Sequence, residues 1–141
     1  MSTQTDNIAV VRRFNDAFDR ADWTTMKACM SPGIAAYATG APGKMDLDAF
    51  MGMGQTFLDA FSQSRHIVED QIASGDIVAT RAKWSAIHTG PFNGVPASNR
   101  PVSIDIMIFD HLHEGKIVEH YGALDVLGLM AQIGAAQAVA A

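Results

Sequence analysis

Cysteine and clustered positive charge are both scarce in this chain. Cys29 is the only cysteine, so no disulfide can form within the chain and no zinc site can be built from several thiolates. The 10 lysines and arginines are outnumbered by 15 acidic residues, and the formal net charge is −5. Nucleic-acid binding needs clustered cations that displace counterions, so we expect no nucleic-acid partner.

Long apolar runs are missing as well. No stretch approaches the roughly 20 apolar residues of a membrane-spanning helix, so we expect no membrane partner. The first residues, 1–7, are polar and lack the basic-then-apolar pattern of a secretion signal. With a single unpaired cysteine, these features predict a cytoplasmic protein.

Apolar residues are nevertheless plentiful. They make up 48% of the chain, against 18% charged residues, which is enough to form a packed core. The length of 141 residues fits one domain. We predict a single domain over residues 1–134 and a flexible C-terminal tail over residues 135–141.

The first half of the chain has helical periodicity. Apolar residues recur at three- and four-residue spacing between Val10 and Phe18, which predicts a helix. Asp22 is predicted to cap a short second helix that ends at Pro32-Gly33, and Asp46 to cap a third. Residues 34–39 are predicted to form a short strand between them.

The second half alternates with the period of strands. Strands are predicted at 66–73, 77–88, 102–112 and 117–121, and a short closing helix at 124–133. Helices followed by hairpin-connected strands indicate an α+β fold. Because the strands have one clearly apolar face, the helices are expected to cover one side of the sheet.

Three stretches carry a resemblance to a known family. They are HTGPFNGVP at 88–96, EGKIVE at 114–119 and DxxGLxxQIG at 125–134. With this order of elements, the sequence resembles the SnoaL-like polyketide cyclases of the nuclear transport factor two-like superfamily. The resemblance implies a cystatin-like α+β barrel, shaped as a cone, whose mostly antiparallel sheet curves around helices on its concave face. It also implies a closed pocket, a homodimer or larger assembly, and no metal or organic cofactor.

The resemblance further implies which positions would carry the cyclase chemistry. An aspartate on the last strand acts as acid and base, helped by two polar residues on the preceding strand and an asparagine on the first strand. Aligned on the last two stretches, the aspartate falls on Gly122, the polar pair on Ile106 and Ile108, and the asparagine on Ala36. None of these four residues has a polar side chain, so the family's catalytic groups are replaced.

Strand register predicts what the pocket contains. A three-residue turn at 113–115 would pair Ile108 with His120 and Ile106 with Gly122, on the face that also carries Trp84. We therefore predict that a small hydrophobic organic molecule binds in a pocket lined by the following residues: Tyr37, Trp84, Ile104, Ile106, Ile108 and Gly122.

His120 and His88 are the candidate catalytic residues. Both are predicted on the concave face, and an imidazole titrates near neutrality, so it can serve as acid or base. The alternative is a core histidine bonded to backbone or water. The Tyr37 phenol, at the pocket or its rim, can donate to a substrate carbonyl or keep its hydroxyl in water.

Other polar residues have structural explanations. Asp105 is predicted to face outward and pair with Lys83 or Arg81, and Asp125 to cap the closing helix. The pair His111 and His113 has a spacing that can suit a metal. It flanks an exposed turn and no cluster of acidic ligands surrounds it, so we predict no metal site.

Two functions fit these residues. The first is an enzyme of cofactor-free acid/base chemistry, of the aldol cyclase, isomerase or lyase type, on a small apolar carbonyl compound. The alternative is a non-catalytic binding protein for a hydrophobic small molecule. The enzyme is preferred because the family is mostly catalytic, although the cyclase positions are replaced.

The outward face of the strand at 102–112 predicts a homodimer. If the chain were monomeric, this face would expose large apolar groups to water. Its side chains are Ser103, Asp105, Met107 and Phe109.

Overall fold

The computed structural model of the chain describes residues 3–135 and contains four helices and five strands in that range. In chain order they are α1 (Thr3–Asp19), α2 (Trp23–Ala28), β1 (Met30–Ala38), α3 (Leu47–Ala60), β2 (Phe61–Ser74), β3 (Ile77–His88), β4 (Pro101–His113), β5 (Lys116–Leu124) and α4 (Val126–Gln132). Of the predicted C-terminal tail, residues 136–141 lie outside the described residues.

The five strands form one sheet in the order β1-β5-β4-β3-β2. The three hairpin-connected pairs are antiparallel, and β1 joins the sheet parallel to β5. The sheet is curved and mostly antiparallel, and α1 and α3 pack against its strands. This architecture confirms the predicted α+β class.

Buried and exposed residues alternate along β4, which identifies the inner and outer faces of the sheet. From Val102 to Leu112 every second residue is buried, and the residues between them are exposed or partly exposed. Successive side chains of a strand point to opposite faces, so one face of β4 packs under the helices and the other meets solvent. Burying each large apolar side chain contributes about 1.5–3 kcal/mol, which makes this inward stripe a main source of stability.

Three aspartates cap the N-termini of α2, α3 and α4, as predicted. The side chains of Asp22, Asp46 and Asp125 each accept a hydrogen bond from the backbone N–H three residues later, at 3.1, 2.9 and 2.8 Å. Each bond satisfies an amide that the first helical turn leaves without a partner. The predicted caps are therefore confirmed.

The predicted boundaries change at β1, β2 and the closing helix. Pro32-Gly33 does not end α2, because α2 stops at Ala28 and both residues lie within β1. An edge strand tolerates proline, and the pairing with β5 is interrupted between Met30 and Ala35. β2 begins at Phe61, directly after α3, rather than at residue 66. The closing helix spans 126–132 rather than 124–133.

The predicted pairing of β4 with β5 is wrong by two residues. Ile108 pairs with Gly122 rather than with His120, and the residue opposite His120 is Asp110. The predicted partner of Gly122, Ile106, lies opposite Leu124 instead. A slip of two residues keeps every side chain on its predicted face, so the division into inner and outer residues is unchanged.

The turn between these strands explains the slip. It has two residues, Glu114 and Gly115, with φ of 50° and 75°, the left-handed pair that a tight hairpin requires. A register shift between His111 and Leu112 then adds one residue on β5. A two-residue turn and a bulge thus replace the predicted three-residue turn.

The outer face of the sheet carries ion pairs and exposed apolar groups. Lys83 Nζ lies 2.6 Å from Asp105 Oδ1, which confirms the predicted outward ion pair. On the same face Met107 and Phe109 are 51% and 53% exposed, and Tyr121 on β5 is 45% exposed.

None of the helices within residues 3–135 is long and apolar enough to cross a membrane. The cytoplasmic location stays a prediction.

We predict that Gly90→Ala destabilises the protein by about 1–3 kcal/mol, the usual cost of overpacking. The Gly90 N–H donates to Ala60 O at 2.9 Å, which ties the loop after β3 to the end of α3. An added Cβ would collide with the backbone oxygen of Asp59, which cannot rotate away as a side chain would. Urea unfolding measures the change.

Gly52→Ala is the matched control. A Cβ at Gly52 meets nothing within 4 Å, and the residue lies inside α3. Alanine there should be neutral or stabilise the protein by up to about 1 kcal/mol. Equal stability of the two variants would contradict the prediction.

Candidate active site

A cavity of about 90 Å³ lies between the concave face of the sheet and the helices. One water needs about 10–15 Å³, so the cavity is large enough for a small organic molecule rather than one solvent molecule. Its wall is mostly apolar and includes six residues predicted to line it: Trp84, Ile104, Ile106, Ile108, His120 and Gly122. Their roles in binding or catalysis stay predictions.

His120 is held by a buried carboxylate. Its Nδ1 lies 2.6 Å from Oδ1 of Asp110, and the two residues are 6% and 1% exposed. An ionised carboxylate only accepts hydrogen bonds, so with Asp110 ionised the donor of this bond is Nδ1 of His120, and Nε2 remains for another partner. The rings of Phe50 and Phe14 flank the imidazole at centroid distances of 4.8 and 5.8 Å.

The second ring nitrogen of His120 faces Gly122. Within residues 3–135, His120 makes a side-chain hydrogen bond only through Nδ1. A Cβ built on Gly122 would lie 3.4 Å from Nε2, and both residues line the cavity. The missing side chain at 122 therefore leaves Nε2 uncovered.

A second imidazole held by a carboxylate lines the same cavity. His66 Nδ1 lies 2.8 Å from Asp19 Oδ1, and the His66 backbone N–H donates to Oδ2 at 2.7 Å. Ser64 Oγ also donates to Asp19, at 2.7 Å, and accepts from Trp84 Nε1 at 2.8 Å. Neither Asp19 nor His66 is among the predicted site residues. The pair joins the end of α1 to β2 across 47 positions of sequence, and no local motif marks it.

The pKa of Asp19 lies below its ordinary value of 3.8. Burial alone would raise this pKa, but the hydrogen bond and charge of His66 and the hydrogen bond from Ser64 outweigh it. Asp19 is therefore ionised at neutral pH. Its contribution to stability is present above pH 3.8 and is lost as the pH falls through the lowered pKa.

Asn15 adds an unused hydrogen-bond donor. It lies on α1, is 4% exposed and lines the cavity. Its Nδ2 group is buried and has no hydrogen-bond partner among the described residues. A buried donor without a partner costs about 1–3 kcal/mol, and a ligand oxygen in the cavity would recover it.

The structure does not bring His88 to the cavity wall. His88 is fully buried beside Phe61, and its Nδ1 accepts the Ser98 backbone N–H at 3.1 Å and lies 2.8 Å from Ser98 Oγ. β3 runs past the cavity, and the loop after it closes over this end of the strand. The location matches the alternative of a core histidine held by its neighbours.

Tyr37 also lies away from the cavity. Tyr37 lies opposite Tyr121 of β5, which is exposed on the outer face, so Tyr37 points to the same face. Its ring stacks on Tyr121 at 4.7 Å, with 5° between the planes, in an outer groove that includes Met107 and Phe109. The predicted position at the pocket is corrected to the opposite side of the sheet.

The His111 and His113 pair flanks the hairpin turn, as predicted. His111 Nδ1 lies 3.2 Å from Glu119 Oε1, and both side chains are more than 40% exposed. In the part of the chain that the structure describes, no group of three or more histidine, cysteine, aspartate or glutamate side chains is arranged to hold a metal ion.

With this fold and cavity established, comparison with known proteins places the chain in a family. The model of the SnoaL-like polyketide cyclase family matches residues 8–133, and the chain belongs to that family. No curated protein matches the sequence.

Solved structures share the fold over nearly the whole chain. A proposed SnoaL-like polyketide cyclase from Jannaschia sp. CCS1 is 24% identical, with a TM-score of 0.86 and 96% of each chain covered. IdmH, a proposed polyketide cyclase from Streptomyces antibioticus, is 26% identical, with a TM-score of 0.81 over 94% of this chain and 99% of its own. AclR, a proposed hydroxylase from Streptomyces galilaeus, is 24% identical, with a TM-score of 0.85 over 94% and 98%.

We predict that Gly122→Ala slows the reaction of His120 with diethyl pyrocarbonate several-fold, because the new methyl group would cover Nε2. The reagent acylates the unprotonated nitrogen of an imidazole, and mass spectrometry of peptides gives the rate for each histidine. Gly54→Ala is the matched control, since its methyl group enters the same cavity against Phe18 and Trp23 rather than His120. Equal rates in the two variants would show that Gly122 does not control access to Nε2.

Proposed function

We propose that this SnoaL-like protein is a cofactor-free acid/base enzyme that acts on a small apolar carbonyl compound. The observation that carries the proposal is the Asp110–His120 pair, whose imidazole lies on the wall of an apolar cavity. In this proposal His120 is the catalytic residue that moves a proton, and Asp110 is the positioning residue that holds it.

The first step is removal of a proton from the carbon next to a carbonyl group. Nε2 of His120 takes this proton, while Asp110 keeps the proton on Nδ1 and stabilises the imidazolium that forms. The pair is buried between aromatic rings, where low polarity strengthens its electrostatic interaction. An aligned carboxylate also fixes the direction in which Nε2 points.

The enolate formed in this step needs a hydrogen-bond donor for its oxygen. Asn15 lines the cavity, and its enclosed Nδ2 group, which has no partner among the described residues, is the proposed donor. From the enolate, attack on a second carbonyl gives an aldol cyclisation. Return of the proton to another carbon gives an isomerisation, and loss of a leaving group gives a lyase reaction. All three share the same first step.

The proposed base, His120, differs in type and position from the aspartate that the family resemblance implies. The resemblance places an aspartate at the position of Gly122, where this chain has no side chain. His120 lies two residues earlier on β5, so its side chain is on the same face of the strand. The imidazole of His120 is the base that this face of β5 offers instead.

A binding protein for a hydrophobic molecule is the second candidate. It is favoured by the wall of isoleucines at 104, 106 and 108 around Trp84, which can hold an apolar ligand without reacting with it. Measurement of turnover distinguishes the two candidates. A binding protein holds its ligand unchanged, whereas the enzyme loses rate when His120 is replaced.

We predict that His120→Asn lowers kcat by about 10²–10⁴. The asparagine amide can still donate to Asp110 from near the position of Nδ1, so the buried carboxylate keeps a partner and the fold is retained. Thermal-shift screening of ketones, esters and epoxides identifies ligands, and turnover of each is then measured for both proteins.

His111→Asn is the control for this experiment, because His111 lies on the exposed hairpin outside the cavity. It should keep wild-type activity. Full activity in His120→Asn would remove His120 from the mechanism. Tight binding without turnover in the wild type would favour the binding protein.

We also propose that the chain is a homodimer that buries the outer face of β4. The exposed side chains of Met107, Phe109 and Tyr121 support this proposal, because three large apolar groups adjoin on one sheet face. Light scattering should give twice the chain mass of 15.1 kDa, and Phe109→Asp should give the monomer. A wild-type monomer at micromolar concentration would reject the dimer.

A further inference from the structure

His66 and Asp19 repeat, on the same cavity, the arrangement seen at His120 and Asp110. In each pair a buried or partly buried carboxylate holds the Nδ1 atom of an imidazole that lines the cavity. We propose that His66 is a second catalytic residue, which donates a proton to a substrate oxygen while His120 removes a proton from carbon. This inference rests on the proposed function and adds a substrate class to it.

The free nitrogen of His66 is available to a ligand. Only Nδ1 of its ring is hydrogen-bonded within residues 3–135, and the side chain is 12% exposed. The ring stands edge-on to Phe18 at 5.6 Å, which limits its rotation. His88 differs, because its Nε2 is fully enclosed and the ring does not line the cavity.

A purely structural role does not require an imidazole at position 66. Asp19 already accepts hydrogen bonds from the backbone N–H of residue 66 and from Ser64 Oγ, and these two bonds fasten the end of α1 to β2. The imidazole is a third donor to the same carboxylate. Its other nitrogen remains for a different partner.

The two imidazoles are placed at separate points along α1. Phe14 contacts the His120 ring at 5.8 Å, and Phe18 contacts the His66 ring at 5.6 Å. Four residues span about 6 Å along a helix, so the histidines adjoin successive turns. They also lie on strands that β4 and β3 separate in the sheet.

This spacing defines the class of substrate. A molecule that reaches both histidines needs an enolisable carbonyl at one end and a second oxygen function, such as a ketone or ester, at the other. An apolar body must connect them, because the wall between is formed by Trp84 and isoleucines. The inferred substrate is therefore a compact apolar compound with two carbonyl groups.

Such a reaction is an aldol addition, which needs no oxidant or reductant. His120 Nε2 takes the proton from carbon, and the electron pair of that C–H bond forms a bond to the second carbonyl carbon. The π pair of the second carbonyl moves to its oxygen, which takes the Nε2 proton of a His66 imidazolium. Asp19 holds the Nδ1 proton throughout, and solvent then returns one proton from His120 to His66.

Two ligands of equal chain length separate the role of His66 from that of His120. Heptane-2,6-dione has two carbonyl groups, and heptan-2-one has one. In protein labelled with ¹⁵N-histidine, the dione should shift the Nε2 resonances of both histidines, and the monoketone only that of His120. A dione that shifts His120 alone would overturn the inference, and failure to bind up to its solubility limit would reject the two-carbonyl substrate class.

His66→Asn tests the same assignment by affinity. The amide can still donate to Asp19, and dione binding should weaken about 10- to 100-fold, the usual size of one lost hydrogen bond to a charged group, while monoketone binding is unchanged. A structural role would weaken both ligands equally and would overturn the inference. His120→Asn should lower any turnover of the dione by about 10²–10⁴, and unchanged turnover in that variant would contradict the proposed function instead.

Discussion

The cost of burying a charged carboxylate under an apolar sheet is the constraint on which the cavity depends. An isolated carboxylate at the position of Asp110, which is 1% exposed, would lose its hydration without compensation. The hydrogen bond to His120 compensates for the burial of Oδ1, while the buried Oδ2 has no partner among the described residues. The same bond fixes the ring so that Nε2 faces the cavity. The same interaction therefore stabilises the fold and orients the group that is proposed to react. Asp19 is stabilised more completely, since three donors satisfy it.

Backbone geometry decides whether this pair can form. Asp110 and His120 lie opposite each other only because the hairpin turn has two residues and β5 carries one extra residue near it. Glu114 has a positive φ, which is unusual for a residue with a side chain, and Gly115 follows with the same sign. A turn distant from the cavity thus sets which carboxylate meets the imidazole on the cavity wall.

Much of the fold could be predicted because it depends on local patterns. Alternation identified the inner faces of β3 and β4, and single aspartates marked the starts of three helices. The inner face survived the error in register because two residues restore the same side. Asp110 escaped prediction because the assumed register placed Ile108 opposite His120, although a lone carboxylate in the inward stripe of β4 was the available signal. Asp19 and His66 could not be found in this way, since their contact joins segments that are distant in sequence.

Two neighbouring positions on the inner face of β5 show how one family fold can hold a different site. The family resemblance implies an acid at the position of Gly122, and this chain has an imidazole two residues earlier on the same face of β5. A carboxylate at 122 and an uncovered Nε2 at 120 would compete for one space, because even a Cβ at 122 comes within 3.4 Å of that nitrogen. Glycine at 122 and histidine at 120 therefore form a matched pair: removing the side chain from one position makes the other position usable. Because the paired strands hold both positions in place, the chemistry of the cavity can change while the sheet that forms it stays the same.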